Sequence, residues 1–177
     1  MERKSSLPGI IKDEKTRHAI MQWWEGLEKN KGGRARLRRC HEPMQVFLHS
    51  LFYELNSALP HWPESQSRSL AAIAGLIANV DQHVKGLTFP KQLGTPREPG
   101  ANPPMSENRF QQLIKSRDWI EFYVRMRRAI LMLKRNVNIP SLAGYIWLFG
   151  MQQAGDNIEP SKSFQFRMAE EYFKTTL

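Results

Sequence analysis

Cysteine is almost absent from this chain of 177 residues. The one thiol, Cys40, has no partner for an internal disulfide, which fits a reducing cytosol. Histidines are scattered, and no HExxH, CxxC or two-histidine-one-carboxylate spacing groups them as metal ligands. The histidines are His18, His41, His49, His61 and His83. We therefore expect neither a metal site nor a cofactor.

Long apolar runs are also missing. The first residues, MERKSSLPGIIKDEK, are charged and lack the apolar core of a signal peptide. No run approaches the roughly 18 residues that a membrane span needs. These absences predict a cytoplasmic protein.

Catalytic signatures are equally sparse. The sequence contains no GxSxG elbow and no P-loop. Cys40 and His41 are adjacent, but neighbouring side chains on a helix diverge by about 100°. Since no nucleophile and base are grouped, we expect no catalytic residue and no enzymatic activity.

Acidic residues are outnumbered by basic ones. The chain has 17 Asp and Glu against 26 Lys and Arg, a net charge of +9. Cations that neutralise phosphates release condensed counterions, so this balance favours a polyanionic partner. On charge alone, RNA, DNA, an anionic membrane surface and a basic protein with no such partner are all compatible with the composition.

Apolar residues recur at helical spacing, and no segment sustains the alternation of a strand. The pattern predicts an all-α fold, a helical bundle of about seven to eight helices. The first helix is expected at residues 16–29, ended by the break at Asn30–Gly33. Another is expected from Pro43 to about Leu59, because proline suits a first helical turn.

A stretch rich in proline interrupts the helices between Lys85 and Met105. It holds five prolines and three glycines. Loops longer than about 12–15 residues are usually functional or disordered. We interpret it as a long mobile loop that joins two helical halves, residues 1–84 and 106–177. Its cations, Lys85, Lys91 and Arg97, fit a solvated linker as well as a nucleic-acid contact.

The segment from Ser106 to Arg135 holds eight basic and three acidic residues. Ser106 is expected to cap one helix, and Ser116 is expected to cap a second that runs from Arg117 to Arg135. A helical wheel predicts one buried face of Trp119, Phe122, Met126, Ala129, Ile130 and Leu133. A further apolar strip of Ile120, Val124 and Leu131 predicts that this helix touches a second neighbour.

Basic residues concentrate in two places, Lys29–Arg39 and Arg109–Arg135. Arginine suits phosphate because its planar fork forms two parallel hydrogen bonds. If the two segments meet in space, they form one positive track for a nucleic-acid backbone; otherwise one of them is a solvated surface. The candidate binding residues are Arg36, Arg38, Arg39, Arg109, Lys115, Arg117, Arg125, Arg127, Arg128 and Arg135.

Two strings carry a family resemblance, GGRARLRRCHEP at Gly32–Pro43 and RFQQLIKSRDWIEFYVRMRRAI at Arg109–Ile130. Their order, behind a first helix with two tryptophans, resembles the CasB family, the small subunit of the type I-E CRISPR surveillance complex Cascade. The resemblance places the family's basic positions on Arg38, Arg39, Arg109, Lys115, Arg127 and Arg128. Charge and spacing add Arg36, Arg117, Arg125 and Arg135.

The resemblance implies an all-α, non-enzymatic subunit that pairs with a second copy beside the Cascade backbone and large subunits. It implies contacts with the CRISPR RNA, the target DNA and the displaced strand while the R-loop opens. From the lack of long apolar runs we expect no membrane partner. The chain departs from the family pattern in its proline-rich stretch and in MQQAGDN at 151–157, which has no basic residue. The alternative is a basic helical adaptor that binds a protein partner and uses charge for steering.

Overall fold

A computed structural model describes residues 9–176 of the chain. In that part ten α-helices form almost all of the regular structure, which confirms the all-α prediction with more helices than expected. The helices are α1 (Glu14–Gly26), α2 (Lys31–Arg38), α3 (Pro43–Val46), α4 (Ser50–Ala58), α5 (Ser67–Ile77), α6 (Phe89–Gly94), α7 (Glu107–Ile114), α8 (Trp119–Met132), α9 (Ile139–Gln153) and α10 (Phe164–Thr176). Single 3-10 turns lie at Gly9–Lys12, Leu27–Lys29, Glu64–Gln66 and Pro160–Lys162. None of the described helices has the length and apolar character needed to cross a membrane.

Helices α5 and α9 form the centre of the core. Every residue of α5 from Ser69 to Ile77 is buried, as is every residue of α9 from Ser141 to Gly150. Gly150 allows the close approach, because a Cβ atom there would lie 1.8 Å from the Ser69 Oγ. The two helices come from opposite sides of the predicted loop, so both halves contribute to one core. A domain boundary at the loop stays a prediction.

Helix α6 corrects the prediction of a loop throughout residues 85–105. Residues 89–94 are helical, and Phe89 and Leu93 are fully buried. Pro90 lies in the first turn, where its missing N–H is not needed and its fixed φ suits a helix. Proline therefore accompanies a helix start here, and α6 packs against α10.

Hydrogen bonds attach both sides of α6 to the core. The Phe89 N–H donates to the Ser141 Oγ at 2.8 Å. The Tyr172 hydroxyl donates to the Met105 carbonyl at 2.7 Å. The stretch predicted to be mobile is therefore held at both ends.

Two helix boundaries in the first half differ from the predicted ones. Asn30 caps α2, because its Oδ1 accepts the Gly33 N–H at 2.9 Å. The cap satisfies an N-terminal donor, so the glycine pair lies inside the first turn and is not a break. The helix expected from Pro43 to Leu59 divides at residues 47–49 into α3 and α4.

Helix α8 begins later and ends earlier than predicted. Asp118 caps it in place of Ser116, because the Asp118 Oδ1 accepts the Glu121 N–H at 2.9 Å. The Ser116 hydroxyl instead donates to the last turn of α7 at 2.7 Å. Lys134 and Arg135 end the helical path with left-handed φ angles of 53° and 62°. The predicted inner face of α8 is buried, which confirms the helical wheel.

The second apolar strip predicted on α8 is largely exposed. Ile120 is 58 % exposed and Leu131 is 44 % exposed, while Val124 is half-buried. The expectation that this strip packs on a second neighbour is therefore wrong for Ile120 and Leu131.

Two short strands join the ends of α5 and α8. Strand β1 (Gln82–His83) pairs in parallel with β2 (Asn136–Val137). Just before the strands, the Asp81 N–H donates to the Arg135 carbonyl at 2.8 Å. The C-terminal end of α8 is therefore held beside that of α5.

Candidate nucleic-acid interface

The carbonyl groups at the C-terminal end of α5 bind three arginines from two distant segments. Arg34 Nε and Arg38 Nε donate to the Ala78 carbonyl at 3.1 and 2.7 Å. Arg135 Nη1 donates to the Asn79 carbonyl at 3.2 Å. The last carbonyls of a helix lack partners within it and carry partial negative charge, so guanidinium groups stabilise this end. The first basic segment and the end of the second therefore meet on α5.

A second contact joins the same two segments. Arg127 Nη1 lies 3.2 Å from Nδ1 of His41, which is two residues beyond Arg39. Helix α8 thus runs beside the chain that follows α2. Of the two alternatives that the sequence leaves open, the structure therefore shows the one in which the two basic segments meet.

Arg34 and Arg38 are largely occupied within the fold. Arg34 is only 8 % exposed, forms ion pairs with Glu28 and Asp81, and donates to the Val80 carbonyl. The Arg38 Nη2 lies 2.6 Å from the Asp81 Oδ1. Guanidinium groups that are buried or shared in this way stabilise the local structure of the surface. Arg38, a candidate phosphate contact, therefore already has polar partners.

Arg36 and Arg39 differ from Arg34 and Arg38 in their exposure and in their contacts. Both are exposed, Arg36 in α2 and Arg39 at its C-cap. Their side chains make no hydrogen bond or ion pair within residues 9–176. A guanidinium group without a counter-charge can offer a bidentate edge to a phosphate.

A small cleft between α7 and α8 holds three of the candidate arginines, Arg109, Arg125 and Arg128. Its volume is about 100 Å³. The other lining residues are Met105, Gln112, Leu113 and Met132. Three like charges around one cleft repel one another, and an anion bound among them would relieve that repulsion.

The three arginines of this cleft differ in how firmly they are held. Arg125 Nη1 lies within hydrogen-bond distance of the Gln112 carbonyl (2.8 Å) and the Glu121 Oε2 (3.2 Å). Arg109 and Arg128 are exposed, and their side chains have no polar partner in the part of the chain that the structure describes. Arg125 is thus fixed in position, while Arg109 and Arg128 are free to bind an anion.

Lys115 and Arg117 lie at the turn between α7 and α8, outside this cleft. The Arg117 side chain is 87 % exposed, and its Nη2 lies 3.7 Å from the Glu121 Oε1. Lys115 is exposed, with no side-chain partner among residues 9–176. Arg117 therefore shares Glu121 with Arg125 of the cleft, whereas Lys115 makes no described contact with another candidate.

Two cations that are not among the candidate binding residues, Arg97 and Lys134, lie at the end of α8. Arg97 Nη2 donates to the Met132 carbonyl at 3.1 Å. Arg97 and Lys134 line an open cleft of about 510 Å³. The mildly basic character of the proline-rich stretch is the only sequence signal for Arg97, since a tertiary contact brings it to α8.

Two ionisable groups lie under this surface near Arg127. Burial raises the pKa of the Cys40 thiol, an effect that Arg127 opposes. Burial also raises the pKa of the Tyr123 hydroxyl. Both groups are therefore neutral at pH 7 and do not offset the positive charge. Among residues 9–176, no three His, Cys, Asp or Glu side chains are grouped as metal ligands would be.

The fold and this surface define an all-α protein with a positively charged region built from two distant segments. The family model of the CRISPR-associated protein Cse2 matches residues 33–173, so the chain belongs to the CasB/Cse2 family. The crystal structure of CasB from Thermus thermophilus shares the fold, with a TM-score of 0.60 and 18 % identity over 90 % of this chain and 97 % of that one. No curated protein sequence matches.

The family match confirms the resemblance drawn from the two sequence strings. It begins one residue after the start of the first string, at Gly33, and includes the whole of Arg109–Ile130. The members of this family are structural subunits of Cascade. The chain is therefore a CRISPR Cascade small subunit.

Proposed function

We propose that this Cascade small subunit binds the backbones of the CRISPR RNA, the target DNA strand and the displaced strand, and stabilises the R-loop without catalysis. The observation that carries the proposal is the contact between the two basic segments. Arg127 lies against His41, and Arg38 and Arg135 bind adjacent carbonyls of α5. Charges that are far apart in the sequence thereby act on one region.

Contacts with nucleic-acid backbones are well suited to this role. R-loop formation exchanges one duplex for another of similar stability. Protein–backbone contacts can therefore shift the equilibrium toward the R-loop. Phosphate contacts position a protein without reading bases, which leaves sequence recognition to the guide. The best-placed groups are the exposed arginines whose side chains have no partner within residues 9–176, namely Arg36, Arg39, Arg109 and Arg128.

The remaining candidates divide into three groups by their contacts. Arg38, Arg125 and Arg135 donate hydrogen bonds to carbonyl groups, so they stabilise the local structure of the surface. Their charges also add to its positive potential. Lys115 and Arg117 lie at its edge and act mainly through long-range attraction. Arg127 joins the two segments through His41.

The proposal includes the assembly that the family resemblance implies. The chain pairs with a second copy beside the backbone and large subunits of Cascade in the cytoplasm. Membership of the family supports a place in that complex. The positive surface is then held along the path of the guide and the target.

Charge reversal in the assembled complex tests the proposal. Arg39→Glu and Arg128→Glu are expected to weaken R-loop formation by at least about tenfold, because each replaces an attraction to phosphate by a repulsion. Gel-shift titration of target DNA with guide-loaded complex measures the effect.

Arg68→Glu is the matched control for these variants. Arg68 is also exposed, but it lies in the first turn of α5, at the opposite end from the bound arginines. Circular dichroism of each variant checks the fold. Unchanged target binding by correctly folded Arg39→Glu and Arg128→Glu complexes would contradict the proposal.

A further inference from the structure

The contact between Arg127 and His41 fixes the hydrogen-bonding role of each side chain. Arg127 Nη1 lies 3.2 Å from the His41 Nδ1. A guanidinium group carries only donors and does not lose its proton in proteins, so Nδ1 must be the acceptor. An imidazole ring that accepts at Nδ1 carries its one proton on Nε2 and is neutral. The contact therefore exists only while His41 is uncharged.

Ordered segments hold both side chains at this contact. The His41 N–H donates to the Gln45 Oε1 of α3 at 2.7 Å, and His41 directly follows Cys40, which is buried. Arg127 follows Met126, which is fully buried in the inner face of α8. The spacing between the imidazole and the guanidinium group is therefore set by the fold, although the two residues are distant in the sequence.

Both side chains have donors that the fold does not use. His41 is exposed and Arg127 is half-buried. Within residues 9–176, neither the His41 Nε2–H nor the Nε and Nη2 groups of Arg127 form a hydrogen bond. A phosphate of a nucleic-acid backbone has acceptor oxygens and no donor, so it can accept hydrogen bonds from both side chains. The pair therefore offers a place for one phosphate.

A proton on the His41 Nδ1 would turn this contact into an opposition of two cations. Neither side chain could then accept a hydrogen bond, and like charges at a separation of 3.2 Å repel each other. In the part of the chain that the structure describes, no carboxylate forms an ion pair with His41 or Arg127. A phosphate bound to both would supply the missing negative charge.

The groups around the imidazole do not supply this charge themselves. Cys40 and Tyr123 lie near Arg127, and both are neutral at pH 7 because burial raises the pKa of each group. The nearest charged residues along the chain are Arg39 and Glu42, and neither forms an ion pair within residues 9–176. The counter-charge must therefore come from a bound ligand.

We propose that His41 is a proton-dependent phosphate ligand of the nucleic-acid surface. In its neutral form His41 positions Arg127 by accepting its hydrogen bond. In its protonated form His41 binds the same backbone phosphate as Arg127, so that strand binding takes up one proton from solvent at Nδ1. This role rests on the proposed function of the surface and adds to it a residue and a dependence on pH.

The direction of the pH dependence follows from proton linkage. Because the bound state holds one proton more than the free state, the affinity for target DNA should rise as the pH falls. Histidine is the side chain that most readily changes its charge between about pH 8 and pH 5. Arginine stays charged throughout that range, so Arg39, Arg109 and Arg128 cannot produce the same dependence. A gain of affinity at low pH thus separates His41 from the arginines.

Salt titrations of the guide-loaded complex at two pH values test this role. His41→Gln keeps an acceptor for Arg127 and does not titrate. In going from about pH 8 to pH 6, the affinity of the native chain for target DNA should rise at least about threefold more than that of His41→Gln. The slope of log affinity against log salt should also steepen by about one unit in the native chain alone, because one more cation neutralises phosphate.

His61→Gln is the matched control for this variant. His61 is also exposed, but it lies in the turn between α4 and α5, outside both basic segments. The control should keep the full pH dependence of the native chain. Circular dichroism at both pH values checks the fold of each variant.

The outcomes distinguish this role from the proposed function. Equal pH dependence in the native chain and in His41→Gln would overturn the role of His41. A loss of affinity at low pH that requires His41 would also overturn it, because protonation would then only release Arg127. If Arg39→Glu and Arg128→Glu weaken target binding while His41→Gln leaves the pH dependence unchanged, only the role of His41 fails. If those two variants bind target DNA normally, the proposed function fails with it.

Discussion

Arg38 and Arg135 bind neighbouring carbonyl groups of the same helix end. Arg38 Nε donates to the Ala78 carbonyl at 2.7 Å, and Arg135 Nη1 donates to the Asn79 carbonyl at 3.2 Å. Since Arg38 belongs to α2 and Arg135 follows α8, the end of α5 sets the spacing of the two basic segments. Substitution of these arginines is therefore expected to lower the stability of the fold more than it directly lowers the affinity for nucleic acid.

Arg38→Ala should lower the free energy of unfolding by about 1–3 kcal/mol, because the Ala78 carbonyl and Asp81 each lose a charged hydrogen-bond partner. Arg39→Ala also removes an arginine side chain, but one that is exposed and has no described partner. It should change the free energy of unfolding by less than about 0.5 kcal/mol. Urea unfolding followed by circular dichroism measures both. Equal losses in the two variants would contradict the structural role of Arg38.

Asp118→Ala should destabilise the fold by about 1 kcal/mol, because the N-cap of α8 loses the acceptor for the Glu121 N–H. Asp118→Asn keeps an acceptor in the same place and should retain most of the stability. Thermal unfolding of the two variants measures the difference. If Asn is as damaging as Ala, the capping hydrogen bond is not the cause.

Gly75 and Tyr123 should be energetically coupled. A Cβ atom at Gly75 would lie 2.0 Å from the Tyr123 hydroxyl oxygen, so Gly75→Ala should cost about 1–3 kcal/mol of stability. That hydroxyl is buried with no hydrogen-bond partner among residues 9–176, so Tyr123→Phe should be neutral or stabilising by up to about 1 kcal/mol.

A double-mutant cycle measures this coupling. Gly75→Ala should cost less in the Tyr123→Phe background, because the atom closest to the new methyl group is gone. Equilibrium denaturation of the four proteins gives the coupling energy. Strict additivity would show that the close approach does not limit the residue at position 75.

Stability should depend on the protonation of His83. Burial lowers the pKa of the imidazole below its usual 6.5, and Lys85 adds to the effect. The neutral ring accepts the Ile139 N–H at Nδ1, at 3.3 Å. Because the folded pKa lies below the unfolded one, this contribution is complete above about pH 6.5 and is lost as the pH falls through the folded pKa.

The free energy of unfolding should therefore decrease as the pH falls from 7 through the folded pKa of His83. His83→Gln keeps an acceptor that does not titrate, so the variant should show a shallower decrease. Urea titrations at half-unit pH intervals measure both slopes. The same slope in the variant and the native chain would assign the titration to another group.

The helical period of the sequence predicts the fold class and the inner face of α8. Phe122, Met126 and Ile130 are fully buried where the wheel places them, since burial of an amphipathic face has the same period as the helix. Helix α6 is missed because proline and glycine, here Pro90 and Gly94, commonly interrupt helices. The packing of α6 against α10 that stabilises it is unknown from the sequence. Local composition cannot show that tertiary packing.

The proposed binding surface is predicted only in part, for a similar reason. Charge identifies Arg38, Arg39, Arg125 and Arg128 equally, because all four are arginines in basic segments. Only the tertiary contacts show that Arg38 and Arg125 have carbonyl partners while Arg39 and Arg128 are exposed without described ones. Sequence thus indicates the charge of a segment, whereas the availability of each guanidinium group depends on the fold.

The salt dependence of target-DNA affinity tests the central claim most directly. Arg39→Gln, Arg109→Gln and Arg128→Gln are compared in guide-loaded complex, with Arg68→Gln as the control. If these arginines neutralise phosphates, each of the three should lower the slope of log affinity against log salt by about one unit and weaken binding equally across target sequences. A slope equal to that of the control in all three variants would contradict the account.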